Sequence, residues 1–200
     1  ENDRWFGCHG TTEYLLDSNG NEREQANYCY VPSTWAENIV EQAEKDGLRL
    51  SYHTPYRLNI HRDEFCELAW QIIQTVNPNI NLPELTQPFS DCDEDIVRQI
   101  AALGIVTGYE DGTFQPTREL SRQEAAVILQ RLYTVLYGKI EVSPTPYADN
   151  GSIGAWAKDS VYAMRQTGIM QGVGANRFEP KNGYTCEQSI ITMLRMTQKA

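Results

Sequence analysis

No apolar run in the 200-residue sequence approaches the ~18 residues of a membrane-spanning helix, and the segments Ile72–Val76 and Val127–Leu136 are short or interrupted. The chain opens Glu-Asn-Asp-Arg with no leader pattern, so any export signal has either been removed or never existed. Positive charge is also scarce: 17 Lys and Arg face 27 Asp and Glu, and the net charge of −10 works against nonspecific attraction to nucleic acid or anionic lipid. Neither a nucleic-acid partner nor membrane insertion is expected. An anionic ligand would have to be held by a few local arginines, since charges beyond about 8 Å are largely screened at physiological ionic strength. The five cysteines form no CxxC pair and show no metal-like spacing with the three histidines, so no metal is expected. A Walker loop, dinucleotide fingerprint and nucleophile elbow are all missing, and neither a cofactor nor catalysis is predicted.

What is present is a composition 40% hydrophobic and 22% charged, which supports a buried core and argues against wholesale disorder. Cys8 and Cys29 are the best disulfide candidates. Their loop of about 20 residues would be worth roughly 3 kcal/mol in the chain-entropy model and would imply an oxidising compartment. Plain buried thiols are the alternative.

The sequence also matches itself. Phe89-Ser-Asp91, Leu103-Gly104-Ile105, Gly108-Tyr-Glu-Asp111-Gly112-Thr-Phe114-Gln-Pro116 and Leu120-Ser-Arg122-Gln-Glu124 mark one unit. At an offset of 64, Gly104 falls on Gly168, Gly108 on Gly172, Phe114 on Phe178, Pro116 on Pro180, Ser121 on Thr185 and Glu124 on Gln188. A more eroded copy comes first: Trp35-Ala36 precedes Gly47 as Trp156-Ala157 precedes Gly168. Downstream, Phe65, Leu68, Ala69, Ile72 and Ile73 match Ala125, Ile128, Leu129, Leu132 and Tyr133 at an offset of 60.

Each unit reads as helix, loop, helix. Ile96, Val97, Ile100 and Ala101 recur at helical spacing, with Asp91 and Glu94 in the form of a capping box and Gly104 as the C-terminal stop. Ser121 with Glu124, and Thr185 with Gln188, predict caps for the second helices. Those helices carry one apolar stripe each, which a single copy cannot hide, so three would pool theirs in a central bundle with pseudo-threefold symmetry. Ser189, Thr192 and Thr197 make the third stripe the most polar, and it is expected to pack most weakly. The units are placed at 35–80, 89–138 and 147–200, with linkers at Pro78–Pro88 and Pro144–Pro146. Residues 1–34 form either a cap or the end of an upstream domain, with Tyr14–Leu16 and Tyr28–Val31 as candidate paired strands around the Asp17–Asn21 turn.

The pattern of Phe/Tyr-x-Asp, Trp-Ala before the first helix, Gly-Ile-x-x-Gly, Asp-Gly-Thr-Phe-x-Pro and Ser-Arg-x-Glu resembles the S-layer homology domain of bacterial cell-surface proteins. The resemblance covers about residues 33–200, strongest in the second unit and partial in the first. It implies a mainly α fold of three tandem repeats forming a three-pronged spindle around a three-helix bundle. It also implies a noncatalytic anchor, secreted to the cell wall as part of a larger exported protein. Its implied partner is secondary cell-wall polysaccharide or a peptidoglycan-linked glycan, often with a pyruvylated sugar, bound in grooves between units. The family's binding arginine falls on Arg62 and Arg122, but on Cys186 in the third unit; its tryptophan falls on Trp35 and Trp156, but on Cys92 in the second. Asp91, Gly108, Asp111, Asp149 and Gly172 complete the implied ligand-binding set. An arginine at a helix N-terminus suits an acidic ketal, and an indole suits a sugar face. The alternatives are an arginine paired with a surface carboxylate and a tryptophan that staples the core. A module that kept the fold and lost the sugar site is the competing function.

Other constellations are weaker. Asp91, Asp93, Glu94 and Asp95 lack calcium-loop spacing and read as capping and solvation. Cys8-His9 and Glu110-Asp111 are sequence neighbours, which does not build a catalytic dyad or a glycosidase pair. His53 and His61 read as surface or capping residues.

Overall fold

The computed structural model describes residues 15–16, 22–23, 31–50, 55–85 and 89–199. The Cys8–Cys29 pair, the Asp17–Asn21 turn and His53 lie outside them. The described chain is mainly α-helical, as expected. Its helices are α1 (Glu37–Lys45), α2 (Arg62–Val76), α3 (Asp95–Ala102), α4 (Arg122–Tyr137), α5 (Lys158–Gln166) and α6 (Cys186–Thr197). A two-residue hairpin pairs β1 (Leu15–Leu16) with β2 (Glu22–Arg23), so Leu15–Leu16 meets an earlier partner than the Tyr28–Val31 segment read from sequence.

Three units follow, each a short helix and a long one: α1 with α2, α3 with α4, α5 with α6. Gly47, Gly104 and Gly168 end the short helices at φ between 72° and 88°, a left-handed turn that costs glycine little. Phe65, Leu68, Ala69, Ile72 and Ile73 of α2, Ala125, Ile128, Leu129 and Leu132 of α4, and Ile190, Met193 and Met196 of α6 are all buried. Helix α6 departs from expectation. Glu187, Ser189 and Thr192 are buried along with its apolar residues. The hydroxyls bond back to the helix, Ser189 Oγ to the Thr185 carbonyl at 2.9 Å and Thr192 Oγ1 to the Ser189 carbonyl at 2.9 Å, so they enter the core with their polar atoms satisfied.

The starts of the long helices are tied in a ring. The Ile60 amide donates to the Tyr184 carbonyl (2.8 Å), Tyr184 to Leu120 (2.9 Å), and Leu120 to Ile60 (3.1 Å). Outside this ring the free amides of each helix N-terminus bond to the loop of the next unit, a common need at helix ends. Arg62 and Asp63 donate to the carbonyls of Arg118 and Pro116, Arg122 and Gln123 to Asn182 and Pro180, and Cys186 and Glu187 to Leu58 and Tyr56. Three seams result, in which α2 packs on α3, α4 on α5, and α6 back on α1.

Capping follows the sequence for the long helices and departs from it for a short one. Ser121 and Glu124 form a capping box on α4, whereas Thr185 caps α6 without the expected return bond from Gln188, whose side-chain oxygen accepts from Arg122. His61 occupies the same place on α2, with Glu64 completing a box. Helix α3 begins at Asp95 with no side-chain cap, because the Asp91 carboxylate is committed elsewhere.

Candidate functional site

Arg62 and Arg122 stand at the first position of their helices, and each crosses its seam. Arg62 Nε donates to the Phe114 carbonyl (2.8 Å) and Nη2 to that of Thr107 (2.9 Å). Arg122 repeats the geometry, with Nε to Phe178 (2.8 Å), Nη2 to Gln171 (2.9 Å) and Nη1 to Gln188 Oε1 (3.2 Å). Their guanidinium carbons lie 4.4 Å from the Phe114 ring centroid and 5.0 Å from that of Phe178, within cation–π range. The residues are only 7% and 4% exposed. Burial lowers both pKa values, yet a guanidinium stays charged at neutral pH. Among the described residues neither arginine makes a salt bridge: carbonyls and ring faces meet each guanidinium directly, while the charges of Glu124 on Arg62 and of Glu179 and Asp149 on Arg122 act without such contact.

The tryptophans lie outside. Trp35 is 57% and Trp156 60% exposed, so neither is a core staple. Trp156 folds over Gly154, where an added Cβ would sit 2.5 Å from the indole nitrogen. The Gly154 amide donates to Gln123 Oε1 (3.0 Å), which ties the Gly154–Trp156 turn to the start of α4, at the residue after Arg122. Trp35 belongs to the α1–α6 seam, where Cys186 is a buried thiol and the next residue, Glu187, accepts from Ser33 N (2.8 Å) and Ser33 Oγ (2.9 Å). In the α2–α3 seam, which Arg62 crosses, Cys92 occupies the tryptophan position. The three seams are therefore unlike: arginine with thiol, arginine with indole, and thiol with indole.

The remaining expected residues hold the loops of the second and third units in shape. Asp91 accepts from the amides of Phe114 (2.6 Å) and Gln115 (2.8 Å), and Asp149 from Phe178 (2.9 Å) and Glu179 (2.8 Å). The Phe114 amide, foremost, holds the Asp91 carboxyl below its ordinary pKa. For Asp149 burial pushes upward, but the amides of Phe178 and Glu179 outweigh it and the net direction is down. Asp111 closes its own turn by accepting from Thr113 N (3.0 Å) and Thr113 Oγ1 (2.7 Å). Gly108 and Gly172 allow close approach: a Cβ would fall 2.7 Å from the Phe89 ring at one and 2.5 Å from the Arg177 carbonyl at the other.

Sequence reasoning passed over Gln188 and Glu187. The offset that puts Gln188 on Glu124 was visible, but not that losing the carboxylate frees an amide oxygen to meet Arg122. Likewise Glu187 falls on Gln123, a match whose seam partner, Ser33, is remote in sequence.

Residues 90–126 and 146–183 each match the S-layer homology domain. The chain is 33% identical over 100 residues to an S-layer protein of Bacillus thuringiensis subsp. finitimus, covering 50% of this chain and 12% of that protein. It is 32% identical over 107 residues to an endoglucanase of Bacillus sp. (strain KSM-635), 51% of this chain and 11% of the relative. An exoglucanase, XynX, of Acetivibrio thermocellus aligns with 98% of this chain at 23% identity, over 19% of its own length. The chain thus spans less than a fifth of each of these relatives.

Proposed function

We propose that this chain is a noncatalytic anchoring module of the bacterial cell surface, which binds an acidic cell-wall polysaccharide in the seam between α4 and α5. The coarse reading, a cell-wall anchor, is supported by the two S-layer homology matches and by the surface-layer relatives. The finer one is supported by a single observation: this seam brings a buried guanidinium that makes no salt bridge among the described residues, and an exposed indole, to the same helix start. The indole offers a flat apolar face to a sugar ring, and the arginine with the α4 N-terminus favours negative charge such as a pyruvyl ketal. No helix of the described residues is long and apolar enough to cross a membrane. Attachment through the polysaccharide is the proposed route to the wall.

Because Arg122 also ties two units together, Trp156 is the cleaner test. Purified cell-wall polysaccharide should bind the chain in a salt-sensitive manner. Trp156→Ala should weaken it about tenfold or more while Trp35→Ala changes it less than about twofold, as losing a well-placed aromatic contact warrants. Equal effects of the two variants would refute the choice of seam, and chemical removal of pyruvyl groups without effect would refute the ketal.

A second reading is favoured by the fork itself, since Nε, Nη1 and Nη2 of Arg122 all have protein acceptors. On that reading the arginine only cements the seam, and the wild-type chain binds no glycan.

A further inference from the structure

A cavity of about 330 Å³ opens in the second unit, lined by Phe89, Ala101, Val106, Gly108, Tyr109 and Gly112 among others. The third unit shows what such a space accepts. The helix stops superimpose in pattern: Gly104 N donates to the Ala101 carbonyl (2.8 Å) as Gly168 N donates to that of Arg165 (3.0 Å). So do the turns, with Ser90 N to the Gly112 carbonyl (3.0 Å) and Ala148 N to that of Asn176 (2.7 Å). Phe89 and Tyr147 are matched by the glycines pressed against them, Gly108 and Gly172. Arg165 therefore stands where the second unit has Ala101. Its guanidinium lies 4.2 Å from the Tyr147 ring centroid, and it donates to the Thr145 and Pro146 carbonyls (3.2 Å each) and to Asn176 Oδ1 (3.1 Å).

From this we propose that the second-unit cavity is a receptor slot for an arginine side chain presented by a partner protein, with Phe89 as its aromatic floor. The chain vacates the space that its own guanidinium fills one unit later. Tyr109 replaces Val173 and adds a second aromatic wall. The charge balance suits a cationic visitor: the net charge is −10, and Glu110 and Asp111 adjoin the slot in sequence. Arg62, close to Tyr109, does not forbid a second guanidinium. In the third unit Arg165 lies over the Tyr147 ring at 4.2 Å and Arg122 over the Phe178 ring at 5.0 Å, and the two rings are 5.4 Å apart, so two guanidinium groups already coexist around one aromatic pair. The extra cation of the second unit, Arg118, lies over the Tyr109 ring at 5.3 Å and donates to its hydroxyl, and its charge is paired with Glu124 at 2.9 Å, which leaves the Phe89 floor as the face for the visitor.

The test is a titration of the whole 200-residue chain, ¹⁵N-labelled, with the peptides acetyl-Gly-Arg-Gly-amide and acetyl-Gly-Leu-Gly-amide. The arginine peptide should give saturable shifts at the amides of Gly108, Tyr109 and Gly112, with a dissociation constant on the order of millimolar for so small a ligand. The leucine peptide should bind at least about fivefold more weakly, the margin expected of a cation–π contact. Ala101→Arg, which fills the slot from within, should abolish the shifts and leave polysaccharide binding intact, which separates this slot from the sugar seam. Gly112→Asn supplies the missing Asn176 amide and should tighten the arginine peptide about threefold or more, within the worth of one added hydrogen bond. An equal response to leucine, shifts that persist in Ala101→Arg, or no tightening in Gly112→Asn would overturn the assignment.

Discussion

Asp91 and Asp149 place one carboxylate each across two backbone amides, and the second donor of each pair, Gln115 and Glu179, adopts positive φ. The left-handed conformation is costly for a non-glycine residue, and the carboxylate is what offsets it. Both folded pKa values are depressed, so the stabilisation is fully present above the unfolded aspartate value of about 3.9 and is lost as pH falls through the lower folded values. Melting temperature should accordingly drop below about pH 4, and the double variant Asp91→Asn with Asp149→Asn should show a flatter profile over that window by circular dichroism. The Phe/Tyr-x-Asp motif was legible in the sequence; what it grips was not. Its partners lie 23 to 30 residues onward, and no local pattern reports a bond of that reach.

Helix by helix, the reading succeeded where chemistry is local. Ser121 and Glu124 close their box within four residues, and Ser121→Ala should cost about 1 kcal/mol, measured by urea unfolding. It failed for α3, since a cap inferred from spacing cannot know that a turn competes for Asp91. For α6 it placed Ser189 and Thr192 in the inward stripe and took their polarity to mean weak packing; what it did not show is that both satisfy their hydroxyls on the helix itself, and that Thr192 lies 2.8 Å from the Tyr184 hydroxyl. Burial pushes that phenol up to about 12, so it remains protonated across the range in which the fold is used. The seams divide the same way. Which residue type stands at each arginine or tryptophan position could be read from the repeat, but which of them share a seam depended on the order in which the units close.

At the level of the whole chain, the last unit grips the first. Cys186 and Glu187 donate to Leu58 and Tyr56, and Ser33 reaches Glu187 across 154 positions. No unit has its long-helix start satisfied internally, so the three should melt as one. Near- and far-ultraviolet circular dichroism are expected to give superimposable transitions. A chain ending at Gly138 should lose the tertiary signal of the first two units as well, because Arg122 and Leu58 are left without the groups that meet them. Independent melting of the truncated chain with native-like near-ultraviolet signal would contradict this.

The ring of Ile60, Leu120 and Tyr184 also has a mechanical meaning. A tether that holds a heavy cargo to a wall is pulled, and bonds arranged head to tail in a row would yield one after another under tension. Here each of the three segments is bonded to the next and the last to the first, so a tug on any one is shared by its neighbours and rupture requires them to fail together.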